Sequence, residues 1–166
     1  MKMRILFFAC CALAILVSLS TRVSTNVSAQ DGAKASPAVV ARKGFQEVSE
    51  WITKSAEMVP AEKYDYKPVD TVRSFGQIIA HLADSLNYYC AVGAGKKAGG
   101  DSAEKGTIDK ATLVPKLKQA VDNCNTVYAS DSSQLEPLFE NIAHSNLHYG
   151  NLITYLRMMG MKPPSS

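Results

Sequence analysis

Apolar residues recur at helical spacing in four segments of the sequence, and no segment alternates with period two for long enough to form a strand. Proline and glycine separate these segments. Pro60 and Pro68 follow the first, the Gly-rich stretch VGAGKKAGGDSAEKG follows the second, and Gly160 ends the fourth. The sequence therefore predicts an all-α fold in which four helices enclose one core.

Capping residues predict where three of the helices begin. Ser36 precedes the first helix, and Ser74 opens a capping box before the second. The third helix has two candidate starts, near Asp109 or near Thr112. The later start is favoured because it brings Pro115 closer to the first turn, where proline is tolerated.

The first 29 residues have the layout of a secretory signal peptide with cleavage after Ala29. Lys2 and Arg4 precede a run of 15 residues, from Ile5 to Leu19, that is apolar except for Ser18. A membrane-spanning helix needs ~20 apolar residues, so an uncleaved anchor is the weaker alternative. We expect a secreted or periplasmic protein, not bound to a membrane after cleavage, with a flexible segment over 30–37 and one domain over 38–166.

The basic character of the whole chain comes from this leader. Lys2, Arg4 and Arg22 are three of the 18 basic residues, and without them 15 basic residues balance 15 acidic ones. The remaining sequence has no basic stripe with interleaved aromatic residues. Nucleic acid is therefore not an expected partner.

The fourth helix, predicted from about residue 137 to 159, carries two histidines on one side. His144 and His148 are four residues apart, which places them on one helix face together with Asn151 and Tyr155. The other side is aliphatic, formed by Leu138, Ile142, Ile153 and Leu156. Because this helix has few charges, we expect most of its surface to be covered, by the bundle or by a second subunit.

The third histidine of the chain, His81, lies on the second helix, and Asp84 lies one turn beyond it. The pattern alone leaves two alternatives open for the histidines: a metal site, or solvated and hydrogen-bonded side chains. Asp84 is in the same way either a solvated charge or a carboxylate that orients an imidazole.

Three sequence stretches, YDYKP, VRSFGQIIAHLADS and HYGNLITYLRMMGMKPPSS, resemble the DinB-like family of metal-dependent four-helix-bundle proteins. The resemblance covers about residues 38–166. It implies an up-down-down-up bundle with a long crossover between helices 2 and 3, often as a dimer. It also implies a divalent metal ion, such as zinc, nickel, iron or manganese, that is bound by His81, His144 and His148.

Three neutral imidazoles leave a coordination position open, which is typical of a catalytic site. The resemblance implies a metal-dependent hydrolase or a thiol-type transferase acting on an unidentified small molecule, with Asp84 or Tyr155 beside the ligands. Export argues against a cytoplasmic thiol. The alternatives are a non-catalytic metal-binding bundle and a protein-interaction bundle. We also expect a homodimer that uses the fourth helix.

Two cysteines, Cys90 and Cys124, remain after the leader is removed. Taken alone, they are compatible with a disulfide, two buried thiols or a reactive cysteine. In the topology implied by the resemblance, helices 2 and 3 run parallel and bring both cysteines to one level. In an oxidising compartment this predicts a disulfide, with packed free thiols as the alternative.

Overall fold

The computed structural model describes residues 35–100 and 102–166, and this part of the chain contains four α-helices and no strand. They are α1 (Pro37–Met58), α2 (Phe75–Gly93), α3 (Lys110–Ala129) and α4 (Leu135–Met158), with a short 3-10 helix at Ala61–Lys63. The predicted all-α bundle is confirmed. The predicted signal peptide, 1–29, lies outside the described residues, as does the chain up to residue 34.

None of the helices in 35–100 and 102–166 is long and apolar enough to cross a bilayer.

Side-chain caps begin the first three helices. The Ser36 hydroxyl accepts the Val39 N–H, and Ser74 forms the predicted capping box. In that box the Gln77 N–H donates to the Ser74 hydroxyl at 3.2 Å, and the Ser74 N–H donates to the Gln77 side chain at 2.8 Å. These bonds satisfy backbone donors that have no partner within the helix.

The later start favoured for the third helix is wrong. The Asp109 carboxylate accepts the Thr112 N–H at 2.7 Å, so the helix begins at Lys110 and Pro115 lies inside it. A proline there leaves the Ala111 carbonyl without its helical partner. Ala111 and Pro115 are both exposed, so water can reach that carbonyl, and the Asp109 cap fixes the earlier start.

Helices α1 and α4 run in the same direction. Gly44 of α1 faces Ile142 of α4, and seven residues further along both helices Trp51 stacks on Tyr149 with ring centroids 5.3 Å apart. Equal steps along the two helices lead from one contact to the next. The helices are therefore parallel.

Helices α2 and α4 run in opposite directions. At one end the Gln134 N–H, just before α4, donates to the Gly93 carbonyl at 2.8 Å, and at the other the Tyr155 hydroxyl donates to the Arg73 carbonyl at 2.6 Å. A side chain at Gly93 would meet Leu138 at 2.7 Å, so glycine permits this close approach. The two helices are antiparallel along their whole length.

The third helix completes the topology. Cys90 and Cys124 are at matching depths in α2 and α3, which makes these helices parallel. Arg42 near the start of α1 donates to the Tyr128 carbonyl near the end of α3, which makes α1 and α3 antiparallel. The order is up-down-down-up, with the long crossover between α2 and α3 as predicted.

The bundle itself covers both sides of α4. The aliphatic side packs inward, with Leu138 and Leu156 fully buried and Ile142 and Ile153 partly buried against the core. The histidine side faces α2. A second subunit is therefore not needed to cover the aliphatic side.

A disulfide joins Cys90 of α2 to Cys124 of α3, with the two Cα atoms 5.3 Å apart. Both cysteines are buried in the core. The bond ties the two parallel helices together near their C-terminal ends, across a chain separation of 34 residues.

We predict that this disulfide contributes about 3 to 4 kcal/mol to the free energy of unfolding, because it reduces the chain entropy of the unfolded state. Urea unfolding of the oxidised and reduced domains measures the difference, and a Cys90→Ala, Cys124→Ala double variant serves as the thiol-free control. Equal unfolding midpoints for the oxidised and reduced forms would contradict the prediction.

Candidate metal centre

The antiparallel contact between α2 and α4 brings the three histidines together. His81 projects from α2, and His144 and His148 project from consecutive turns of α4. The ring centroids are 5.1 Å apart for His81 and His144, 4.7 Å for His81 and His148, and 4.6 Å for His144 and His148. One nitrogen from each ring lies within 4.8 Å of the other two. The three side chains could together hold a metal ion.

The spacing of the nitrogens fits a small divalent ion. The Nε2 atoms of His81 and His144 are 3.2 Å apart. Two imidazole nitrogens bound to tetrahedral zinc at about 2.0–2.1 Å are separated by about 3.4 Å. In addition, Nδ1 of His148 is buried and makes no hydrogen bond. An all-imidazole donor set suits zinc, nickel or iron better than magnesium or calcium.

The environment keeps the α4 histidines neutral. Burial, followed by the charges of His81 and Arg73, lowers the pKa of His144. Burial, followed by the charges of His144, His81 and Arg73, lowers the pKa of His148 to about 4. A metal ligand must be a neutral imidazole, so both side chains are in the metal-binding form at neutral pH.

Ser85 lies beside the histidines and was not identified from the sequence. Its hydroxyl is 3.1 Å from His144 Nε2, the same nitrogen that faces His81. Ser85 is one turn after His81 on α2, and that i, i+4 spacing is the signal that could have located it.

A carboxylate lies next to His81, but it belongs to Glu104 rather than to Asp84. Oε1 of Glu104 is 3.2 Å from His81 Nδ1, within ion-pair distance although not aligned as a hydrogen bond. The same oxygen is 3.4 Å from the Arg73 guanidinium. Glu104 is part of the crossover between α2 and α3, where no helical periodicity marks it in the sequence.

Asp84 acts on the crossover and not on an imidazole. Its buried carboxylate accepts the Ala103 N–H at 3.0 Å and the Glu104 N–H at 2.8 Å. Hydrogen bonds to a charged acceptor are stronger than neutral ones. Asp84 therefore holds the backbone that carries Glu104, and the carboxylate next to His81 is that of Glu104.

Tyr155, the other expected neighbour, lies next to the histidine cluster without bonding to an imidazole. Its hydroxyl donates to the Arg73 carbonyl. Its side chain lines a cleft that His148 also lines. Tyr155 therefore helps to build the surroundings of the site.

No protein-family model matches this sequence, and no curated protein matches it either.

We expect Glu104→Gln to weaken metal binding by about 10- to 100-fold, the range found when a carboxylate behind a metal-bound histidine is removed. The amide cannot match the charge of the carboxylate next to His81. Competition with a chelator measures the affinity, and Glu47→Gln, an exposed change on α1, controls for the loss of one negative charge. Equal affinity in the Glu104 variant would contradict the role assigned to Glu104.

The metal-free domain should lose stability as the pH falls from 6.5 toward about 4, because the pKa of His148 is lowered from 6.5 to about 4 in the folded state. The unfolded chain binds the proton more tightly in this window, so protonation favours unfolding. Above pH 6.5 the His148 side chain is neutral in both the folded and the unfolded chain, so no stability is lost in this way.

Urea unfolding of the metal-free parent and a His148→Gln variant across that pH window tests this prediction. The variant should lose less of its free energy of unfolding than the parent. Identical losses in the two proteins would show that His148 does not titrate as described.

Proposed function

We propose that the protein binds one divalent metal ion through His81, His144 and His148. The observation that supports this most directly is the convergence of three imidazole nitrogens from two antiparallel helices. The lowered pKa values of His144 and His148 and the buried, unbonded Nδ1 of His148 point the same way. A divalent ion held by three histidines supplies a Lewis acid with an open coordination position.

We propose further that the chain is a DinB-like protein. The up-down-down-up topology, the long crossover and the placement of the three histidines agree with what the sequence resemblance implies. The topology extends over all the described helices, beyond the three sequence stretches that first suggested the family.

The activity we propose is that of an exported metalloenzyme, either a hydrolase or a thiol-type transferase. A cleft of about 360 Å³ beside His148 offers room for a small substrate. The Cys90–Cys124 disulfide is in keeping with an oxidising compartment. The alternative is a bundle that binds metal or a partner protein without turnover.

Elemental analysis of the purified mature domain tests the metal site. We expect about one zinc, nickel, iron or manganese ion per chain, lost in His148→Ala and kept in Asn146→Ala, an exposed change on the same helix. Full occupancy in His148→Ala would remove His148 from the ligand set. With metal present, turnover of ester, amide or thiol-transfer substrates then separates an enzyme from a binding protein.

We also propose that the protein forms a homodimer through the outer face of α4. This face exposes 41% of Phe139, 66% of Leu147 and 56% of Met158. Burial of these side chains against a second copy of the helix would favour a dimer. Sedimentation should give a dimer for the parent and a monomer for Leu147→Glu, and a monomeric parent at tens of micromolar would contradict it.

A further inference from the structure

A cleft opens directly beside the histidine cluster, between the start of α2 and the C-terminal half of α4. Its volume is about 360 Å³, within the range of pockets that hold small molecules. One cationic residue, Arg73, and no acidic residue line the cleft. Its lining residues are Thr71, Val72, Arg73, Ile78, His148, Asn151 and Tyr155.

The backbone of Arg73 is fixed in place. Its carbonyl accepts the Tyr155 hydroxyl at 2.6 Å. The next residue, Ser74, is held by its N–H bond to Gln77 in the capping box. The starting point of the Arg73 side chain is therefore set by α2 and α4 together.

The guanidinium of Arg73 is not fully used by the protein. Its side chain is 50% exposed, and among the described residues its one polar partner is Glu104, at 3.4 Å. A guanidinium has five N–H donors, so it can take a further acceptor. It lies close enough to the histidines for its charge to contribute to the lowered pKa values of His144 and His148.

The charges around the cleft favour an anion. The three histidines are neutral ligands, so a divalent ion bound there keeps its charge, and Arg73 adds a further positive charge. The carboxylate of Glu104, which does not line the cleft, offsets one unit of this positive charge. In a partly desolvated cleft this excess of positive charge attracts a negatively charged ligand.

We infer that the cleft recognises small carboxylic acids, with the carboxylate paired to Arg73 and a second donor atom of the same molecule at the three-histidine centre. A guanidinium matches a carboxylate in shape and charge and can bind it through two parallel hydrogen bonds. The inference rests on the proposed metal site and goes beyond it by naming the substrate class.

The test uses the domain loaded with cobalt(II), whose visible absorption reports ligand binding at the metal. The probes are imidazole-propionate and its amide, imidazole-propionamide, which share a metal-binding ring and differ in the charge at the other end. Each is titrated at a pH where the ligand ring is neutral. Any difference intrinsic to the two probes is the same in every variant, so comparison between variants removes it.

We expect Arg73→Met to reduce the preference for the carboxylate over the amide by about tenfold, as for one charge-assisted pair at a half-exposed site. Affinity for the amide should not change. Arg157→Met, which removes an exposed arginine outside the cleft lining, should keep the parent preference. Arg73→Met keeps the backbone bonds of residue 73, so its folding can be checked by thermal unfolding.

Equal discrimination in the parent and Arg73→Met, or none in the parent, would overturn the inference while leaving the metal site in place. If cobalt does not bind in the parent, the proposed metal site fails and the inference fails with it. The cobalt spectrum before any probe is added distinguishes these two cases.

Discussion

The antiparallel contact between α2 and α4 is the constraint on which the rest of the arrangement depends. It places His81 opposite His144 and His148. Contacts between residues that are neighbours in the sequence could not bring these side chains together. The contact is set at one end by Gly93, whose missing side chain admits Leu138. At the other end it is set by the bond from Tyr155 to the Arg73 carbonyl. The three histidines thus lie on two rigid helices, and helices position such side chains more precisely than loops do.

The crossover between α2 and α3 adds the charge that the helices do not provide. Asp84 binds two backbone N–H groups of the crossover, including that of Glu104, whose carboxylate lies between His81 and Arg73. The disulfide holds α2 and α3 parallel at their other ends. Two parallel helices must be joined by a long crossover. In this protein, part of that crossover carries Glu104, which lies next to the histidines.

The sequence predicted the helices and the histidine cluster because both depend on local spacing and on the resemblance of three motifs. It did not predict Glu104, since a crossover has no periodicity that says which of its residues faces a helix. Its position one turn from His81 left Asp84 open between a solvated charge and a carboxylate that orients an imidazole. Three residues along a helix rotate a side chain by about 60°, and Asp84 binds the crossover instead. The start of α3 was misplaced because the Asp109 cap outweighs the preference of Pro115 for a first turn.

Anomalous diffraction from crystals of the four-helix domain grown with zinc tests most directly whether the two helices build one metal site. We predict a single strong peak about 2.0–2.1 Å from one nitrogen of each of His81, His144 and His148. Zinc bound only elsewhere on the domain, with the three imidazoles contacting one another and no ion between them, would contradict it.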